Sequence, residues 1–105
     1  MNTVLKDWQI VSIFDNEELV GVVLWGIVVD DRSCRYKKDD YVCTSKIQSL
    51  NEENQIVFTS SGSVYQILGD GIKAEIQFDD FELLRTGFTP QQIQALISTN
   101  IRYLH

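Results

Sequence analysis

An apolar run of eleven residues, LVGVVLWGIVV at positions 19–29, is the sequence feature that most limits what this chain can fold into. Side chains of both strand parities are apolar and Val is abundant, which favours a strand buried on both faces. Gly21 and Gly26 have no side chain to pack, so they indicate a bend, a bulge or a close approach of another backbone. The run is shorter than the roughly 18–20 residues of a membrane helix. It therefore predicts the central strand of a strongly curved sheet.

Length and charge narrow the class of protein. The 105 residues predict a single domain over 1–105, strand-rich in 7–78 and helical in 79–104. The formal net charge of −6 argues against nucleic-acid binding, which depends on cationic contacts to phosphate, and favours a basic partner. The first residues, MNTVLKDWQIVS, lack the long apolar segment of a secretory signal, so we expect a cytoplasmic protein without a membrane segment.

Five further strands are predicted from β-favouring residues bounded by turn residues, at 8–14, 41–50, 56–59, 63–68 and 72–78. In the last of these, Ile72, Ala74, Ile76 and Phe78 alternate with polar residues, which predicts one wet face. Every connection except the charged loop 30–40 is short enough for a hairpin. The pattern therefore predicts an antiparallel meander of about six strands.

The pattern changes from strand to helix at Asp79. Asp79 or Asp80 can cap a short helix that Gly87 ends, and Thr89 with Gln92 forms a capping box around a second helix start. The apolar stripe of the second helix is Ile93, Leu96, Ile97, Ile101 and Leu104. The predicted fold class is α+β: a curved, mostly antiparallel sheet, barrel-like in form, with one or two C-terminal helices. A more open sheet with helices across one face is the alternative.

Catalytic and metal-binding motifs are missing from the sequence. The one histidine, His105, is the last residue, and no nucleophile elbow, phosphate loop or zinc-protease motif occurs, so we predict no enzyme activity and no cofactor. Cys34 and Cys43 match no zinc spacing, and Cys43 is predicted to be a buried thiol. Four aspartates flank one loop, where solvated turn residues are favoured over a cation site: Asp30, Asp31, Asp39 and Asp40.

Basic residues cluster in one place, around an aromatic ring. This basic loop consists of Arg32, Arg35, Tyr36, Lys37 and Lys38. Cations interleaved with an aromatic ring can hold phosphates or a single strand by charge and stacking, which makes the loop an alternative binding site. Local pairing with the flanking aspartates is the simpler interpretation.

Carboxylates gather at one end of the sheet if the strands form a meander, because successive turns then lie at opposite ends. The predicted partner-binding residues are Asp15, Glu17, Glu18, Glu52, Glu53 and Asp70. The basic loop and the pair Asp79–Asp80 fall at the other end in this arrangement. An acidic end can steer and hold a basic partner. Trp25 is predicted to be core, whereas Trp8 is assigned to neither core nor surface.

Small size, acidic charge and the lack of a catalytic set are similar in character to bacterial immunity proteins and antitoxins. That resemblance implies a non-catalytic inhibitor that neutralises a basic toxin, often a nuclease, through its acidic surface. A phage-encoded inhibitor of a host defence complex would use the same physical principle. A small nucleic-acid- or ligand-binding module acting through the basic loop is the alternative of a different class.

Overall fold

The computed structural model describes the backbone of residues 3–103 and the side chains of residues 3–98. One curved sheet of six strands is followed by a short 3-10 turn at Phe78–Asp80 and two helices. The elements are β1 (Thr3–Asp15), β2 (Glu18–Asp31), β3 (Tyr41–Asn51), β4 (Ile56–Thr59), β5 (Val64–Ile67), β6 (Ile72–Gln77), α1 (Phe81–Arg85) and α2 (Pro90–Tyr103). The predicted α+β class and the mostly antiparallel sheet are confirmed.

The first five strands close into a ring of hydrogen-bonded pairs. β1 to β5 follow one another in antiparallel pairing, and β5 then pairs with the first residues of β1 in parallel, at Thr3–Leu5. Every strand of this ring has a neighbour on both sides. Closure of the ring requires a strongly curved sheet, which Gly21 and Gly26 in the apolar run 19–29 predicted.

The sixth strand departs from the predicted meander. β6 pairs with β1 rather than β5, in parallel and in register from Gln9↔Ile72 to Phe14↔Gln77. β5 and β6 therefore follow each other along one edge of β1, and the connection 68–71 lies beside the middle of that strand. The prediction of a hairpin at Gly69–Gly71 was wrong, because turn residues there join two strands that run in the same direction.

A bulge at Asp7 divides β1 into a first part that pairs with β5 and a second part that pairs with β6. Lys6 pairs with Ile27 and Gln9 with Trp25, so β1 carries one more residue than β2 across this step. Asp7 itself has φ 49, in the left-handed region. The extra residue reverses the alternation of side chains, because strand side chains alternate with a period of two.

The apolar run 19–29 on β2 is buried at residues 23–26 and Val28, as predicted, whereas Leu19 and Val20 at its start are 53% and 39% exposed. Leu24 and Val28 belong to the cluster inside the ring, whereas Trp25 packs outward against the helices. Trp25 is 4% exposed, which confirms the prediction that it is core. A Cβ at Gly26 would lie 3.1 Å from the Leu5 side chain, so this glycine makes room for a side chain rather than for the backbone whose approach was one of the predictions.

The helices cover the outer face of the sheet, and α2 forms one wall of the candidate site. Thr89 Oγ1 accepts a hydrogen bond from the Gln92 N–H at 3.1 Å, and Gln92 Oε1 accepts one from the Thr89 N–H at 2.9 Å. This confirms the capping box. Leu84 and Ile93 are buried against the sheet.

The C-terminal part of the predicted apolar stripe on α2 lies only partly within the described residues. Leu96 is 37% exposed, whereas Ile97 packs against the outer cluster. Leu104 and the side chain of Ile101 lie outside the described residues. The second helix is anchored instead by a reciprocal amide pair, in which the Gln9 and Gln91 side chains each donate to the other at 2.9 and 3.0 Å.

Candidate functional site: an acidic cleft at the hairpin end

The turn between β1 and β2 is tied to the end of β6. Asn16 adopts φ 59, and its N–H donates to Gln77 Oε1 at 3.0 Å. Gln77 Nε2 donates in return to the Asn16 carbonyl at 3.3 Å. Asn tolerates a left-handed conformation better than most residues, which suits it to this tight turn. These bonds place the turn beside the start of the helical segment.

A cleft of about 440 Å³ opens between this turn, β6 and α2; we call it the hairpin-end cleft. It is lined by Phe14, Asn16, Glu17, Glu75, Ile76, Gln77, Asp80, Ile93, Gln94 and Ile97. Ile76 and Ile93 are 6% and 1% exposed, so the base of the cleft is apolar. Glu17, Glu75 and Asp80 supply three carboxylates, and among the described residues no Lys or Arg lines it.

The three carboxylates of the hairpin-end cleft have no cationic partner in the described part of the chain. Its one ion pair within 4.0 Å joins Arg85 to Glu82, at 3.7 Å on the surface of α1. An apolar base with a carboxylate rim suits a Lys or Arg side chain, whose aliphatic stem packs on the apolar surface while its charged head meets the carboxylates. The cleft is therefore suited to cationic side chains of a partner.

The structure separates the six acidic residues that the sequence grouped together. Asp15, Glu17 and Glu18 lie at the hairpin end, where Asp15 and Glu18 are paired across the two strands. Glu52 and Asp70 line a different cleft of about 380 Å³ beside the bulge of β1, and Glu53 lies in the same turn as Glu52.

This second cleft, which we call the mid-strand cleft, is lined by Trp8, Ile10, Leu50, Glu52, Gln55, Ile67, Gly69, Asp70, Gly71, Ile72 and Lys73. Seven residues of strand, about 23 Å, separate Trp8 at this cleft from Asp15 at the hairpin end. The separation follows from the path of β6, because the connection that carries Asp70 lies beside the middle of β1. The mid-strand cleft also contains a cation, Lys73.

The parallel path of β6 also places the pair Asp79–Asp80 differently from the predicted meander. The meander placed this pair with the basic loop, but β6 runs parallel to β1 and delivers Asp80 to the hairpin end, where it lines the cleft with Glu17. Glu75 was also missed as a site residue. Its position on the wet face of β6 was visible in the sequence, and only the pairing of β6 with β1 brings it to the cleft.

The basic loop is exposed but internally ordered by the Asp31 carboxylate. Asp31 Oδ2 accepts hydrogen bonds from the Arg35 and Tyr36 N–H groups at 2.8 and 2.7 Å. Asp31 Oδ1 accepts bonds from the hydroxyls of Thr3 and Ser33 and from the Ser33 N–H. Desolvation opposes ionisation and tends to raise the pKa of Asp31. The hydrogen bonds, led by that from the Ser33 hydroxyl, outweigh it and hold the pKa well below its usual range.

The aromatic ring of the basic loop is engaged within the protein. Tyr36 packs against the cluster inside the ring of strands, and the Arg35 guanidinium lies 5.2 Å from the centre of its ring. Arg35 also donates from Nε to Ser33 Oγ at 3.0 Å. Burial, and then the nearby Tyr36, raises the pKa of Tyr65. A base stacking on Tyr36 would have to displace Arg35.

Replacing Asp31 by Asn is expected to lower the free energy of unfolding by about 1–2 kcal/mol at pH 7, because an amide offers one acceptor oxygen where the carboxylate offers two. The folded-state pKa of Asp31 lies below its ordinary 3.8, so its stabilisation is fully present above about pH 4 and is lost as the pH falls through the folded-state value. Urea unfolding of the wild type and D31N at pH 7 and pH 3 measures this.

The control for this prediction is Asp30→Asn, because Asp30 is exposed and its side chain makes no hydrogen bond in the described part of the chain. Its effect is expected to stay within about 0.5 kcal/mol at both pH values. Equal effects of D30N and D31N, or an effect of D31N that grows at low pH, would contradict the role assigned to Asp31.

The cysteines and the other candidate ligands form no metal site within residues 3–98, where no three His, Cys, Asp or Glu side chains lie close enough to share an ion. Both thiols are free: Cys34 is exposed, and Cys43, which was predicted to be buried, is only half-buried and packs against the cluster between the sheet and the helices. Burial raises the pKa of Cys43 to about 11 against the opposing charge of Arg85. His105 lies outside the described residues. No described helix is long and apolar enough to cross a membrane.

Six strands in one curved sheet, two short C-terminal helices and an acid-rimmed cleft define a small α+β protein. The chain belongs to the family described as Domain of unknown function (DUF6957), whose model matches residues 1–83. The match spans the whole sheet and ends within α1. Neither the curated proteins nor the solved structures contain a match to this chain.

Proposed function

We propose that this protein is a non-catalytic inhibitor that binds a basic protein partner through the hairpin-end cleft, in the manner of an immunity protein or antitoxin that neutralises a toxin. The observation that supports this proposal most strongly is the cleft itself, in which Glu17, Glu75 and Asp80 surround an apolar base and have no cationic partner among the described residues. Unpaired carboxylates around an apolar base retain their capacity to bind external cations.

Charge supports the same proposal at longer range. The net charge of −6 attracts a basic partner before contact, which raises the association rate. A toxin that acts on nucleic acid carries a cationic binding surface, and carboxylates of an inhibitor can occupy the positions of the phosphates. A nuclease toxin therefore fits the proposal, since its active surface is complementary in sign to the cleft.

Reversing the three carboxylates of the cleft is expected to weaken binding to the partner by about 100-fold or more at low salt, because attraction becomes repulsion at the contact. The variant is Glu17→Lys, Glu75→Lys, Asp80→Lys. The matched control reverses three carboxylates away from the hairpin end: Glu52→Lys, Glu53→Lys, Asp70→Lys. Both variants change the net charge by the same amount, so a difference between them reports position rather than total charge.

The experiment uses tagged wild type and both variants as bait in lysate of the native host, with washes at low and high salt. The proposal expects one basic protein to be retained by the wild type and the control and lost from the cleft variant. It further expects that protein to inhibit growth when expressed alone, and co-expression of the inhibitor to relieve the inhibition. Equal retention by all three baits, or recovery of nucleic acid without a protein, would overturn the proposal.

A further inference from the structure

β6 is the one strand in the described part of the chain with a neighbour on a single side. The five strands of the ring each have neighbours on both sides, whereas Ile72–Gln77 pairs with β1 alone. The backbone groups on the outer side of β6 therefore face no other strand among residues 3–103. An unpaired strand edge is a template on which an extended segment of another chain can form main-chain hydrogen bonds.

The open edge of β6 ends at the hairpin-end cleft. Glu75, Ile76 and Gln77 form part of the lining of the cleft, and Asp80 follows directly after the strand. At the other end of the edge, Ile72 is 51% exposed. A six-residue strand spans about 20 Å, which is long enough to align several side chains of an added strand. Main-chain pairing and carboxylate contacts are thus available to the same segment.

The charges around the open edge of β6 indicate which kind of segment can bind there. Side chains of an added strand alternate between the two faces, so one set would lie on the face of β6 that carries Glu75, with Gln77 towards the cleft and Lys73 on the other side, while the other set would contact apolar surface. Lys or Arg at the alternate positions nearest Glu75 and Asp80, separated by apolar or β-branched residues, suits this arrangement, whereas a cation beside Lys73 is disfavoured. A second copy of this chain is disfavoured because each copy brings Glu17, Glu75 and Asp80 to the same contact.

We propose that β6 receives an extended basic segment of the partner as an additional strand, whose alternate cationic side chains reach into the hairpin-end cleft. This proposal rests on the proposed function and specifies how the partner is held. Main-chain hydrogen bonds supply affinity, and the carboxylates select the charge and the register of the segment. The cleft alone would bind any exposed cation, whereas strand addition requires an extended backbone with free N–H groups.

A synthetic peptide separates strand addition from attraction of charge. The probe is Lys-Val-Lys-Thr-Lys-Val with blocked termini, compared with two versions that are N-methylated either at the three Lys or at the three intervening residues. All three peptides carry the same charge, but each methylated version loses the backbone donors of one side of the strand. Titration calorimetry with the full chain gives the affinities, and amide hydrogen exchange locates the binding.

The proposal expects one methylated peptide to bind at least ten-fold more weakly than the parent, and the other to stay within about three-fold of it. Alternate amides of Ile72–Gln77 are expected to exchange more slowly when the parent peptide is bound. Equal binding of all three peptides, lost in the variant with the cleft carboxylates reversed, would overturn strand addition and leave the acidic cleft as the partner site. Absence of binding up to about 1 mM, or binding without protection of β6, would also overturn it.

Discussion

Deletion of Asp7 is expected to prevent stable folding, with a loss of more than about 4 kcal/mol in the free energy of unfolding. Leu5 and Trp8 both pack towards the cluster inside the ring although three positions separate them, and this is possible only because the bulge reverses the alternation. Without the extra residue, one half of β1 would turn its apolar side chains to the wrong face. Urea unfolding and the near-ultraviolet signal of Trp25 measure the loss.

Substitutions at position 7 distinguish the effect of the bulge on stability from the effect of the Asp7 side chain. Asp7→Gly is expected to be neutral or to stabilise by up to about 1 kcal/mol, because glycine accepts φ 49 without steric cost. Asp7→Ala is expected to destabilise by about 1 kcal/mol for the opposite reason. A deletion variant with the stability of the wild type would show that the bulge does not set the register of β1.

Replacing Gly71 by Ala is expected to cost about 3 kcal/mol. A Cβ at position 71 would overlap the ring of Trp8, so the indole must move. That movement would also break the hydrogen bond from Trp8 Nε1 to the Leu68 carbonyl, which is 3.0 Å long. The contact holds the connection between β5 and β6 against β1, and thereby sets the path of β6 to the hairpin end.

A double-mutant cycle tests this explanation. In a Trp8→Ala background the added methyl group has space, so Gly71→Ala is expected to cost less than about 1 kcal/mol there. Gly21→Ala is the control, because the nearest atoms belong to the flexible side chain of Lys46, at 3.0 Å, and its cost is expected to stay below about 1 kcal/mol. Equal costs of Gly71→Ala in both backgrounds would contradict the proposed clash with Trp8.

Local signals in the sequence predicted local structure well. The run at 19–29 indicated a strand buried on both faces, because it contains no polar side chain that must reach solvent. β2 has this character at residues 23–26 and Val28, but its first apolar residues are exposed. The prediction that β2 is the central strand was wrong, because β1 is the strand that pairs with three others. The capping box at Thr89 was readable because its residue types and spacing are specific to a helix start. Period-two alternation in 72–78 located β6 to within one residue.

The pairing of β6 was not predictable from such signals. Gly69, Asp70 and Gly71 are typical turn residues, and a four-residue connection usually joins antiparallel neighbours. The deciding contact is the packing of Gly71 on Trp8, which are 63 positions apart in the chain. Because that contact is long-range, the sequence placed Asp70 at the hairpin end and Asp80 away from it, and the structure reverses both placements.

The structure of the basic loop could also be predicted only in part from the sequence. Its charges predicted an exposed segment, and the residues are exposed apart from Ser33 and Tyr36 in the run 32–40. The five hydrogen bonds that Asp31 accepts were not visible, since they depend on how the loop turns back over the end of β2. Order in this loop comes mainly from backbone hydrogen bonds to the Asp31 carboxylate, joined by one from the Lys37 N–H to the Asp40 carboxylate, rather than from pairing among the surface charges.

The most direct test of the central claim is the footprint of the basic partner on this protein, mapped by amide hydrogen exchange of the complex with the partner recovered by the wild-type bait. Binding at the hairpin-end cleft predicts slower exchange in the turn at Asn16–Glu17 and from Glu75 to Asp80, with little change around Glu52 and Asp70. Protection confined to the basic loop, or to the mid-strand cleft, would contradict the assignment of the hairpin-end cleft as the partner site.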